Sequence, residues 1–226
     1  SSDLVDSGKT TLSEAMLYLS GSIRKLGRVD HKDAFLDTYS MEKDRGITIF
    51  SKQAMFGWKD LDIALLDTPG HVDFSAEMER TLQVLDYAIL VISGPAGIQS
   101  HTETVWRLLK RYNVPVFIFV NKMDIGDCQK DEIMSGIIER FGSECVDFTC
   151  ETGDEFFENI AMCDEDVLEK YMDSGNIDDE DIRKLIFERK LVPCYFGSAL
   201  KLDGVEEILD GLEKYTLKKE NPNEFG

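Results

Sequence analysis

Residues 115–120, Pro-Val-Phe-Ile-Phe-Val, contain no polar side chain. A strand can be apolar at every position only when both of its faces are covered, as in the middle of a parallel sheet with helices on either side. The run stops abruptly at Asn121-Lys122-Met123-Asp124. Polar residues that follow a doubly buried strand sit at its carboxyl end, and that is the edge where open α/β sheets hold ligands. This single feature restricts the fold class to α/β and points to one rim of the sheet.

The rest of the chain alternates in keeping with that frame. Leu12, Met16 and Leu19 recur at helical spacing until Gly21. Two extended stretches, 49–56 and 61–66, flank a turn at Lys59-Asp60. A helix over 73–85, a strand over 87–93 and a helix over 99–112 precede the apolar strand. A helix over 131–141 and a strand over 145–148 follow it. Residues 153–190 then break the rhythm with acidic helical sequence, before a strand over 191–196 and a helix over 205–215 restore it. The expected architecture is a P-loop-type doubly wound, mostly parallel sheet with helices on both faces and one helical insertion. Only five residues precede the first loop, too few for the buried strand that should launch it. The expectation is therefore that 1–226 is one domain of a longer multidomain protein, cut again near residues 221–226.

Charge and cysteine content exclude several functions. The formal net charge of -19 argues against a broad nucleic-acid-binding face. The acidic run Asp164 to Asp181 reads first as solvated helix surface, with a partner site as the alternative. No apolar run approaches the roughly 20 residues needed to cross a bilayer. The five cysteines form no C-x-x-C pair, so neither a zinc ribbon nor a disulfide framework is indicated. Reduced thiols in a cytoplasmic protein fit best.

Four short segments carry chemistry. Asp3-Leu4-Val5-Asp6-Ser7-Gly8-Lys9-Thr10 has the spacing of a phosphate-binding loop, with Asp3 where glycine or alanine is expected. Gly8 lets the backbone approach phosphate, and Asp6, Ser7 and Gly8 lead into the positive end of a helix. Lys9 is suited to the β- and γ-phosphates, Thr10 to Mg²⁺ and Thr11 to the α-phosphate. Asp67-Thr68-Pro69-Gly70 follows the strand 61–66, placing Asp67 to hold Mg²⁺ through water and the Gly70 amide to sense a γ-phosphate; a capped Pro-Gly turn is the bland alternative. In Asn121-Lys122-Met123-Asp124 the carboxylate can accept two N–H bonds from guanine, a pair adenine does not offer, while Lys122 lies along the base. Ser198-Ala199-Leu200-Lys201 follows the last strand, where a backbone amide can read guanine O6. The first and last segments are weak alone. The four together are not, since they come in the expected order and three lie directly after apolar strands.

With these motifs in hand, the chain resembles the translation-factor GTPases. Arg45-Gly46-Ile47-Thr48-Ile49 looks like their switch I, and Asp67-Thr68-Pro69-Gly70-His71-Val72-Asp73-Phe74 like their switch II. The resemblance implies binding of GTP and GDP with Mg²⁺ held by Thr10, Thr48 and Asp67. It implies a catalytic set of His71, Lys9, Thr48 and Gly70, with His71 orienting the attacking water. Val5 and Ile47 match the apolar pair that restrains that histidine, with ordinary packing as the alternative, and Asp6 matches a ligand for a monovalent cation. Within the family, Leu12-Ser13-Glu14-Ala15-Met16-Leu17-Tyr18 and Val167-Leu168-Glu169-Lys170-Tyr171-Met172 look most like tetracycline-resistance ribosomal protection proteins. Thr104-Val105-Trp106-Arg107 and Asn121-Lys122-Met123-Asp124 are equally similar to elongation factor G. The resemblance further implies a monomer whose parent meets the ribosome. A translocation or release factor shares all of this chemistry, and a nucleotide-gated module without hydrolysis is the rival of another class.

Overall fold

The computed structural model describes residues 7–24, 52–67, 76–149 and 152–217. Its centre is a four-stranded parallel sheet in the order β3-β4-β6-β5, where β3 is Ala88–Ser93, β4 Val116–Asn121, β5 Cys145–Asp147 and β6 Val192–Phe196. Every residue of β4 is buried, as its composition requires. The pleat sends Phe117 and Phe119 to one face and Val116, Ile118 and Val120 to the other. Tyr195 follows the first set and Val192, Cys194 and Phe196 the second. Each such side chain, fully removed from water, contributes about 1.5–3 kcal/mol.

Helices cover both faces. α1 (Lys9–Leu19), the three helices of the insertion and α8 (Val205–Tyr215) pack on the first core. α2 (Ala76–Val84), α3 (Ser100–Arg111) and α4 (Lys130–Phe141) supply the second, in which Trp106 stacks on Phe141 with ring centroids 4.6 Å apart. The extended stretches expected over 49–56 and 61–66 form an antiparallel hairpin, β1 (Lys52–Trp58) and β2 (Leu61–Asp67). Lys59 adopts a left-handed φ of 50° at its tip. Among the described residues no ladder joins this hairpin to the parallel sheet. It is tied instead to α8, where the Trp58 indole donates to Asp210 at 2.8 Å and the Lys59 ammonium lies 2.7 Å from the same oxygen.

One expectation changes on folding. α1 is buried nearly all round, from Leu12 through Leu17, rather than along one stripe. It is enclosed by β2, α8 and the loop after β6, so even Ser13 and Glu14 lose solvent. The helix does stop where glycine invites it: Gly21 takes φ 76°, and the Ser20 and Ser22 amides return to the Met16 and Leu17 carbonyls.

The segment expected as an insertion forms α5 (Asp154–Ala161), α6 (Glu165–Ser174) and α7 (Asp179–Phe187) between β5 and β6. Its apolar residues Ile160, Ile182, Leu185 and Ile186 are buried, and much of its acid is exposed, as a solvated helix surface should be. Two of its aspartates have structural work. Asp164 caps α6 by accepting from the Asp166 and Val167 amides, and Asp178 caps α7 by accepting from the Asp181 amide. Lys190 lies 2.8 Å from Asp164 and holds its carboxyl below the ordinary carboxylate range. A depressed folded-state value stabilises above the unfolded pKa of about 3.9, and that stability is lost as pH falls through the folded value. Asp164→Ala is expected to cost about 1 kcal/mol at pH 7, a loss that narrows below pH 4. Urea melts of the two proteins at pH 7 and pH 3.5 would check this; a pH-independent difference would refute the assignment.

The described cysteines, Cys128, Cys145, Cys163 and Cys194, are all free thiols. Burial pushes the Cys163 thiol up to about 12, so it is unreactive at neutral pH. Among the described residues no helix is long and apolar enough to cross a membrane.

Candidate functional site

The carboxyl ends of β3, β4 and β6 lie level, with Ser93 opposite Asn121 and Val120 opposite Phe196. Three of the four motif loops meet there, and Asn121 joins them. Its side chain is 2% exposed. The Asn121 amide nitrogen donates to the Ser7 carbonyl at 3.0 Å. Its amide oxygen accepts from the Lys122 and Ala199 backbone N–H groups, both at 2.9 Å. One residue thereby locks the phosphate-loop segment, its own loop and the Ser198 loop together, across sequence separations of 114 and 78 residues. Met123 N–H to Gly197 carbonyl, at 3.0 Å, closes the same junction.

Gly8 must be glycine for two reasons. Its φ of 80° is left-handed, and a Cβ there would come within 2.4 Å of the Asn121 amide nitrogen. The Lys122 stem lies beside that position, its Cε 3.9 Å from where the Cβ would stand. α1 starts directly after Gly8 with no side-chain cap and no acid in its first turn, in contrast to the aspartate-capped α6 and α7. Its amino end presents positive dipole with no carboxylate in the first turn to offset it. Lys9, Thr10 and Thr11 form this first turn.

The loop after β6 is stiff. Ser198 and Asp203 exchange backbone hydrogen bonds at 3.0 and 3.1 Å around the 3₁₀ turn Ala199–Lys201. Gly204, at φ 73°, lets the chain turn into α8 where a Cβ would strike the Phe196 carbonyl at 2.4 Å. This loop reaches Asp124. The Ser198 hydroxyl donates to the Asp124 carboxylate and the Lys201 ammonium lies 3.1 Å from its Oδ2; in that order they hold the carboxyl below its ordinary value. Leu200 is exposed at the same loop.

Ser7, Gly8, Lys9, Thr10, Thr11, Asn121, Lys122, Asp124, Ser198, Ala199 and Leu200 are therefore brought to one edge. The backbone of Asp67 ends β2, paired with Lys52, and α1 packs on that strand. Asp6, Thr48, Gly70 and His71 lie outside the described residues, as do Asp3, Val5 and Ile47. Lys201 closes the fourth motif, but the sequence assigns it no role; only the loop's curl aims it at Asp124.

A parallel sheet that gathers a glycine-turned helix start and two polar loops at its carboxyl edge is the architecture of a P-loop nucleotide-binding protein. The chain belongs to the elongation factor Tu GTP binding domain family, which matches residues 4–218. Among its relatives, tetracycline resistance protein TetP of Clostridium perfringens is 37% identical over 93% of this chain. Elongation factor G of Thermotoga maritima is 35% identical over 93% of it. The chain spans only 36% and 37% of those two proteins. A crystal structure from Thermus thermophilus superposes with a TM-score of 0.77 at 22% identity, covering 94% of this chain and 39% of that one. At that identity the likeness speaks for the fold. The family and fold agree with a translation-factor GTPase G domain.

Proposed function

We propose that this chain binds GTP with Mg²⁺ and hydrolyses it to GDP and phosphate within a larger ribosome-associated factor. The observation that carries the reading is the Asn121 side chain, which binds the phosphate-loop segment and both expected base-reading loops at once. One nucleotide laid along that edge would have its phosphates at the uncapped start of α1 and its base at Asp124.

Each residue then has a physical task. The amides at the start of α1 and Lys9 bind the β- and γ-phosphates. Thr10, Thr48 and Asp67 are a hard-oxygen set suited to Mg²⁺, and the ion when bound neutralises charge developing on the phosphate oxygens. Gly70 senses the γ-phosphate, His71 orients one water in line with it, and Asp6 serves a monovalent cation. Lys122 lies along the base, and the Leu200 amide faces guanine O6, the Ala199 amide being given to the Asn121 side-chain oxygen. Because His71 and Thr48 must be brought into place, turnover by the chain alone is slow and the ribosome accelerates it.

The chain acts as a monomer, as the G domain of a multidomain cytoplasmic protein with residues 153–190 inserted, and makes no broad nucleic-acid contact at a net charge of -19. Within the family we propose the tetracycline-protection type. The segments Leu12–Tyr18 and Val167–Met172 support it, set against an elongation factor G relative of nearly equal identity. Phosphate release measured with and without ribosomes tests the core of the reading, and no stimulation by ribosomes would overturn it. Rescue of tetracycline-inhibited translation by the full-length parent tests the finer assignment.

Base selection makes a separate prediction. In Asp124→Asn the side chain presents a donor where guanine also presents one, and the ion pair with Lys201 is lost. GTP affinity is expected to fall about a hundredfold while xanthosine triphosphate gains, since an unpaired buried donor costs about 1–3 kcal/mol. Competition titrations would check it; retained preference for GTP would remove Asp124 from base reading.

A further inference from the structure

We propose that Lys201 is a positioning residue for guanine selection, holding the Asp124 carboxylate in the orientation in which it meets the base. The inference rests on the nucleotide reading above and adds a residue to it.

A carboxylate offers about four lone-pair sites. Two of the four around Asp124 are used by one loop: the Ser198 hydroxyl donates to the carboxylate, and the Lys201 ammonium sits 3.1 Å from Oδ2. The Asp124 backbone N–H hydrogen-bonds the carboxylate as well, so three groups hold it before the base arrives. A carboxylate with no such partners can rotate about its terminal torsion, which is broad. Gripped from one side it is preorganised, and binding then loses less freedom.

The grip is itself fixed. Lys201 ends the 3₁₀ turn Ala199–Lys201, its amide bonded to the Ser198 carbonyl at 3.0 Å. That turn is pinned at Ala199 by Asn121 and at its base by the paired Ser198 and Asp203 backbones. The lysine side chain is 63% exposed while Asp124 is 21% exposed. The cation therefore remains largely hydrated and covers the carboxylate from the solvent side. It also places a positive charge beside an acceptor in a strongly acidic chain that must take up a polyanion.

Exposure limits the effect. Exposed pairs contribute little, so the expected change is small but measurable, about three- to fivefold, the upper end of what such pairs give. The test uses fluorescent GDP titrated against the 226-residue chain and its variants. Lys201→Met should weaken GDP binding about three- to fivefold, and Lys201→Arg should restore it to within twofold of wild type, roughly the limit such pairs resolve. In an Asp124→Asn background the Lys201→Met change should have no effect, because there is no carboxylate left to orient; a lysine that merely stabilised the loop would still register there. Unchanged or tighter GDP binding by Lys201→Met would overturn the proposal while leaving guanine binding intact. Failure of the wild-type chain to prefer GDP over ADP would overturn both this inference and the reading on which it rests.

Discussion

Asn121→Ala is expected to abolish measurable guanine-nucleotide binding and to lower the stability of the chain by about 2–4 kcal/mol. Three backbone partners, one buried and two part-buried, lose their bonds at once: the Ala199 amide, and the Ser7 carbonyl and Lys122 amide. Each backbone group left unpaired costs about 1–3 kcal/mol, and water entering the vacated space offsets part of that sum. The larger effect is on binding. Without the amide strut the phosphate-loop segment, the Asn121 loop and the Ser198 loop are no longer held in mutual register, so a ligand spanning all three must order them itself. Affinity should fall by at least about a thousandfold, equivalent to about 4 kcal/mol. A denaturant melt and a GDP titration on the same preparation separate the two effects. A variant that melts as predicted yet binds GDP normally would show that the edge does not hold one nucleotide.

His71→Ala is expected to leave GDP and GTP affinity within about twofold and to reduce ribosome-stimulated hydrolysis by roughly a thousandfold. A positioned group that orients or deprotonates the attacking water contributes about 10²–10⁴ in rate, and it acts only as the transition state forms. Its removal should therefore appear in kcat and not in nucleotide binding. His71 lies outside the described residues, so this expectation rests on the sequence Asp67-Thr68-Pro69-Gly70-His71 alone. Single-turnover phosphate release with ribosomes in excess is the measurement. Stimulated turnover near the wild-type rate would remove His71 from the mechanism and send the search to Thr48 or to a group supplied by the ribosome.

Binding at a sheet edge also explains why so acidic a chain can take up a polyanion. Net charge describes the long-range field, which salt screens over about 8–10 Å. The start of α1 carries no acid in its first turn, and the acidic residues of α6 and α7 lie on the insertion. On the proposed reading the local dipole and Lys9 govern the phosphates, whatever the sum over the chain.

What the sequence determined was whatever depends on near neighbours. The uninterrupted apolar run of β4, the alternating elements around it and the glycine stops are local patterns, and the elements formed within a few residues of where those patterns put them. Three of the four motifs were legible for the same reason, because each lies directly beyond a strand whose end periodicity reveals. Tertiary structure alone decided what joins them. That Asn121 spends its amide on protein backbone, that α1 is enclosed on nearly every side, and that Lys201 turns back onto Asp124 all depend on contacts between segments far apart in the chain. Such contacts follow from how buried faces stack and how a left-handed glycine redirects a loop, and neither leaves a periodic trace in the order of the amino acids.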